Sequence, residues 1–211
     1  MGALTMFRVL LFATLVAALP AQAASGDTAL VSQVTSRLAQ LQGVRARFTQ
    51  TQTLAAMKQP LVSTGMLVFQ RDRGVIWRVE SPYTATYVIT DAGVSEVDAN
   101  GRRIRTKGAQ GVRGVAQVSK MMRAMLGGDL SALYSQFDVD ARGSTSDWTL
   151  GLRPNQPQLA QAIRGLDMSG GAFLRRLRID LANGDVTRIE FAKSEAADDL
   201  PLAERTLLSA P

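Results

Sequence analysis

Residues 65–80 read Gly65-Met66-Leu67-Val68-Phe69-Gln70-Arg71-Asp72-Arg73-Gly74-Val75-Ile76-Trp77-Arg78-Val79-Glu80. Two runs rich in β-branched and aromatic residues flank Asp72-Arg73-Gly74, a turn composition, which predicts a β-hairpin. Side chains alternate between the faces of a strand. Leu67, Phe69, Val75, Trp77 and Val79 therefore share the odd face, and Tyr87 and Ile89 of the next strand continue it. The even face is mixed: Met66, Val68, Gln70, Ile76, Arg78 and Glu80, then Thr84, Thr86, Val88 and Thr90. One sheet face is thus expected to be buried or to line a cavity. Arg71 breaks the odd row at its end. An Arg there either snorkels into solvent, its stem covering the strand end, or satisfies with its five donors the carbonyls of an element that closes over the cavity.

Upstream, Leu30, Val34, Leu38 and Leu41 recur at spacings of four, four and three, an amphipathic helix with Gly43 at its C-cap. The period then changes to two: Val44, Ala46 and Phe48 alternate with Arg45, Arg47 and Thr49, predicting a strand that runs to about Thr53. Downstream, Ser81-Pro82 interrupts the sheet before strands at Tyr83–Thr90 and Val94–Asp98, and Asn100-Gly101 predicts that Arg102–Lys107 pairs back. Gly108–Gly114 precedes a second helix striped by Val115, Val118, Met122 and Met125, with Met121 beside them. A Met stripe is ordinary core, or a surface that repacks around variable acyl chains. A short helix at Leu130–Tyr134, strands at Phe137–Ala141 and Trp148–Arg153, and a helix at Leu159–Ile163 follow. Leu174–Leu181 and Val186–Phe191 form a hairpin around Asn183-Gly184-Asp185, and the tail beyond Lys193 is expected to be loose at its end. About nine to eleven meandering strands with three inserted helices make an α+β fold. Its one large antiparallel sheet is partly covered by helices and long enough to curl towards a barrel.

The N-terminus sets the address. Arg8, the apolar run Val9–Leu19, then Pro20 and Ala21-Gln22-Ala23 read as a cleavable secretory signal, residues 1–23. A run of eleven residues, one of them Thr14, is too short to span a bilayer, which needs about twenty. The remaining chain, residues 24–211, is expected to be a single domain that carries about +5 once Arg8 is lost from the full-length +6. It begins without a Cys to carry a lipid anchor. An exported chain with no Cys fits a bacterial periplasm. No His and no Cys leave a catalytic mechanism only a Ser–Lys pair, paired carboxylates or a carboxylate-held metal. Ser119-Lys120 point apart on a helix. Asp138-x-Asp140-x-Arg142-Gly143 opens like a calcium loop, but Arg142 and Thr149 stand where ligands belong. Asp198-Asp199 lie in the tail. The reading is therefore no enzyme, no cofactor and no metal. The arginines alternate with apolar residues along strands and aromatics are few, so no nucleic-acid surface is expected.

Phe48-Thr49-Gln50, Gly65-x-Leu67-x-x-x-Arg71, Trp77, Pro82 and a strand ending near Thr90-Asp91, preceded by the helix Leu30–Leu41, resemble the LolA family, the periplasmic carriers of outer-membrane lipoproteins. The resemblance covers roughly residues 30–100, and the second half is similar in layout only. It implies an incomplete, curled antiparallel β-barrel with about three helices forming a lid or plug over an apolar cavity that takes up acyl chains. It places Arg71 as the latch that holds the lid closed. It makes Phe48, Leu67, Phe69, Val75, Trp77, Val79, Tyr87, Ile89, Met122 and Met125 the candidate cavity lining. It implies acylated lipoprotein cargo, an inner-membrane export complex and an outer-membrane acceptor as partners, and a monomeric shuttle. Two departures stand out. Asp72 replaces the Pro that usually follows the Arg, and Val94-Ser95-Glu96-Val97 is far less aromatic than the family's strand. A LolA-like carrier of another amphiphile, such as a glycolipid or polyene lipid, and a periplasmic lipid-sensing adaptor are the alternatives.

Overall fold

The computed structural model describes residues 23–90, 93–98, 101–105 and 133–209. The predicted signal peptide and the Met-bearing helix, with Met122, Met125 and Ser119-Lys120, lie outside the described residues. The period-two segments form β1 (Gly43–Thr53), β2 (Leu61–Gln70), β3 (Gly74–Ser81), β4 (Ala85–Thr90), β5 (Gly93–Val97) and β6 (Arg103–Arg105). After the break come β7 (Phe137–Ser144), β8 (Asp147–Pro154), β9 (Ile163–Gly170), β10 (Leu174–Leu181) and β11 (Val186–Ala196). Three described helices accompany them: α1 (Ala23–Leu38), α2 (Pro157–Ala160) and α3 (Leu202–Ser209).

All eleven strands belong to one sheet in the order β6-β5-β4-β3-β2-β1-β11-β10-β9-β8-β7. Two antiparallel meanders meet at β1, which pairs β2 on one side and β11 on the other, Phe48 lying opposite both Gly65 and Phe191. Among the described residues β6 and β7 do not pair, so the sheet is not closed. The inner face nevertheless folds onto itself. One buried cluster joins Phe69, Val75 and Trp77 of the first meander to Trp148, Leu150, Leu166 and Ile189 of the second, and to Val31, Val34 and Leu38 of α1. Thr35 is buried inside α1 and donates its hydroxyl to the Val31 carbonyl at 2.8 Å, which removes the cost of an unpartnered polar group.

Several expectations are corrected. Leu159–Ile163 is not a helix: α2 is a single turn at Pro157–Ala160, and Ile163 opens β9, a strand the reading lacked. Gly165 and Gly170 mask the alternation of Leu166 and Met168. Gly43 does not cap α1 but begins β1. A Cβ there would strike the Ala197 carbonyl and lie 2.7 Å from Gln70 Oε1, so glycine lets three chain segments meet. The tail is not loose through residue 209. β11 runs to Ala196, and Ala197, Leu200 and Leu208 bury Val68, Ile76 and Val88 on the outer face. That is why the even face of β2–β4 carries apolar residues.

An ion pair fixes this C-terminal cover. Arg45 donates to both carboxylate oxygens of Glu204, at 2.8 and 2.7 Å, and this hydrogen bonding raises the Arg45 pKa. Side-chain exposure is 24% for Arg45 and 10% for Glu204. Removing one partner of a fully buried pair costs about 3–5 kcal/mol, and Arg45 keeps some solvent. Glu204→Ala is expected to lower stability by on the order of 2 kcal/mol in urea unfolding. Glu195 is 4.0 Å from Arg45 and 67% exposed, so Glu195→Ala is expected to change it by less than about 1 kcal/mol.

Candidate functional site

Arg71 follows the last residue of β2, where the hairpin turns. Its main-chain N–H bonds the Gln42 carbonyl at 2.9 Å, which fixes the strand end beside the exit of α1. The guanidinium then reaches across to the chain leaving the helix. One Nη donates to the carbonyls of Ala39 and Leu41, the latter at 2.6 Å. These oxygens lie just beyond the last turn of α1, where the helix dipole favours a cation. Arg37, in that last turn, donates to the Thr145 carbonyl in the β7–β8 turn at 3.4 Å. α1 is thereby tied at one end to both meanders. Arg71 Nε and the neighbouring Gln70 Oε1 are buried with no hydrogen-bond partner among the described residues.

Gly65 marks the other end of the same row. A Cβ there would collide with the Arg78 carbonyl and come within 2.9 Å of the Phe48 ring. Its absence lets Phe48 cross its partner strand and stack on Trp77, with centroids 3.9 Å apart and the rings inclined by 26°. Phe48, Leu67, Phe69, Val75, Trp77, Val79 and Ile89 are all buried in the inner core, and Tyr87 packs against it half-buried. Desolvation, then the nearby Glu96 charge, raises the Tyr87 pKa. Met122 and Met125 lie outside the described residues.

The apolar pocket on this inner face sits beneath the C-terminal end of α1 and is small, about 40 Å³. It is lined by Leu38 and Leu41, by Val44, Ala46 and Leu67, and by Trp148, Met168, Phe173, Leu174 and Phe191. Of the described candidate lining residues only Leu67 faces it. The other described candidates pack in the neighbouring core. Parity in the second half held the missed signal: Trp148, Leu150 and Leu152 alternate inward, as do Leu166 and Met168. A ligand pocket is typically about 300–1,000 Å³, so the pocket is too small to hold an acyl chain in this conformation. The calcium-like segment is strand β7, where Arg142 donates to both oxygens of Asp140 at 3.0 and 2.9 Å. Asp198-Asp199 are exposed between β11 and α3.

The fold is an open antiparallel sheet around an apolar interior, with a helix bonded across it by a strand-end Arg. Residues 22–207 match the family described as outer membrane lipoprotein carrier protein LolA-like, and the chain belongs to that family. No match is found among curated protein sequences. Similar solved structures include a LolA superfamily protein from Nitrosomonas europaea, with 8% identity and TM-score 0.46 over 86% of this chain and 98% of that one. The Pseudomonas aeruginosa MucA/MucB complex aligns with 14% identity and TM-score 0.45 over 85% of this chain and 61% of that chain. LprF from Mycobacterium bovis aligns with 14% identity and TM-score 0.40 over 85% and 97%.

The packing at Gly65 yields a direct test. Gly65→Ala is expected to push Phe48 off Trp77 and to cost about 1–3 kcal/mol in urea unfolding, with a changed near-ultraviolet circular dichroism signal from the aromatic pair. An unchanged midpoint would show that the strands relax freely around a Cβ.

Proposed function

We propose that this protein is a soluble periplasmic carrier that buries the acyl chains of lipoproteins under α1 and shuttles them from the inner to the outer membrane. The reading rests on one observation above others: the Arg71 guanidinium bridges the carbonyls of Ala39 and Leu41, and Leu41 lines the small apolar pocket. That bridge supports reading Arg71 as a latch. Membership of the lipoprotein-carrier family supports it. Removal of residues 1–23 would free the chain to diffuse as a monomer between an inner-membrane export complex and an outer-membrane acceptor.

The physical requirement is balance. An acyl chain in water costs about 0.8 kcal/mol per methylene. A charged donor bonded to backbone carbonyls contributes roughly 1.5–3 kcal/mol per bond. Burial of roughly four to eight methylenes therefore offsets the two bonds of the latch, and the remainder of the chain drives opening of α1. Closure in turn competes with cargo and permits its release. Phe48, Leu67, Phe69, Val75, Trp77, Val79, Tyr87 and Ile89 would become the cavity wall as α1 leaves, with Met122 and Met125 completing it. No covalent step is needed.

Arg71→Leu is expected to leave both carbonyls without their donor. It should raise binding of an apolar fluorescent dye to the empty protein several-fold and speed amide exchange along residues 30–38. Unchanged dye binding would reduce Arg71 to a surface side chain. Mass spectrometry of the protein purified from its periplasm is expected to find acylated protein bound. A free glycolipid or polyene lipid instead would assign it the other amphiphile, consistent with the weakly aromatic Val94–Val97. No apolar ligand would overturn the carrier reading.

A further inference from the structure

The apolar pocket has a charged mouth. Phe173, Phe191 and Ser194 line both the pocket and an adjoining cleft of about 320 Å³, which adds Ser146, Gly171, Ala172, Arg175, Ala192 and Lys193. Among the described residues no carboxylate lines this cleft. Asp147 pairs with Arg175 itself at the rim, which leaves Lys193 as the cleft's cation without an ion pair among the described residues, and Glu195 faces Arg45. Arg175 is further held by the Gly170 carbonyl at 2.8 Å, and Trp148 Nε1 bonds the Gly171 carbonyl at 2.9 Å, so the β9–β10 turn is rigidly seated.

Lys193 is the unusual element. Between Arg45↔Glu195 and Arg47↔Ala192 the β1–β11 register slips by one residue, a bulge that sets Lys193 and Ser194 against Ala46. Lys193 takes φ of 53°, the one positive value for a non-glycine among the described residues. The left-handed region is costly for any residue with a Cβ, and a bulge of this kind favours glycine. A lysine held there at a stability cost, exposed and with no ion pair among the described residues, points to use rather than to packing.

We infer that this cleft is a head-group site: an alkyl chain enters the apolar pocket, and an anionic head is held at the mouth by Lys193 and Arg175. The cargo class is then an amphiphile with an anionic head, a narrower class than acylated molecules in general. The inference rests on the carrier reading, because a pocket of 40 Å³ admits a chain only when α1 moves.

Calorimetric titration of the full mature chain with dodecyl phosphate, dodecyl maltoside and inorganic phosphate tests it. Dodecyl phosphate is expected to bind about tenfold tighter than dodecyl maltoside, with the advantage shrinking at high salt. Lys193→Gly is expected to erase most of that advantage while raising the thermal midpoint, since glycine suits the bulge. Arg175→Gln should erase part of it. Equal affinity for the two amphiphiles overturns the head-group site and leaves the carrier reading intact. Inorganic phosphate binding as tightly as dodecyl phosphate reduces the cleft to a free-anion site and overturns the inference. Failure of both amphiphiles to bind removes the carrier reading as well. A Lys193→Gly variant that is less stable, or that keeps the full preference, contradicts the role given to Lys193.

Discussion

The guanidinium of Arg71 sits where a strand ends and a helix ends, and it ties the two together through main-chain oxygens. Among the described residues the edge strands β6 and β7 do not pair, so no ladder there closes the sheet. Its inner face must be covered by something else, and α1 supplies part of that cover through Val31, Val34 and Leu38. Dispersion and burial hold the helix down but are not directional. The bonds from Arg71 to Ala39 and Leu41 are directional, and they fix where the helix ends relative to β2. Arg37 on the Thr145 carbonyl fixes the same end against the other meander.

The two sheet faces have different duties. Outside, the apolar patch Val68, Ile76 and Val88 is sealed by the C-terminal segment, and the partly buried Arg45–Glu204 pair anchors that seal. Inside, the cover at α1 depends on bonds to main-chain oxygens at a helix terminus, a partly solvated place where donors can be exchanged for water. The outer seal belongs to stability, and in the proposed carrier the inner one is the cover that moves. Such a division would let the chain keep its fold while one helix leaves.

Residues 65–80 carried most of what was legible. Period-two alternation revealed the hairpin, the buried face and the Arg that breaks it, because burial on one side of a pleated strand leaves that imprint. The site was less legible. Odd-face residues such as Phe69 and Val75 were read as cavity lining, yet they are packed core, since periodicity reports burial and not whether neighbouring atoms fill the space. β9 was hidden by two glycines, one of which, Gly170, leaves room for the Trp148 ring. The tail looked polar because Ala197, Leu200 and Leu208 are spaced irregularly, and their partners on β2–β4 are more than a hundred residues away. The bulge at Lys193 left no sequence signal, because a lysine stands where glycine would have announced it.

Opening of α1 is the central claim, and the distance between α1 and the sheet measures it most directly. The chain has no Cys, so spin labels at Gln33→Cys and Thr49→Cys, both exposed, report on α1 and β1 alone. Pulsed dipolar spectroscopy of the empty protein should give one short, narrow distance, and addition of an acylated lipopeptide should create a longer population at its expense. A distribution that stays unchanged while the lipopeptide is bound would contradict the account.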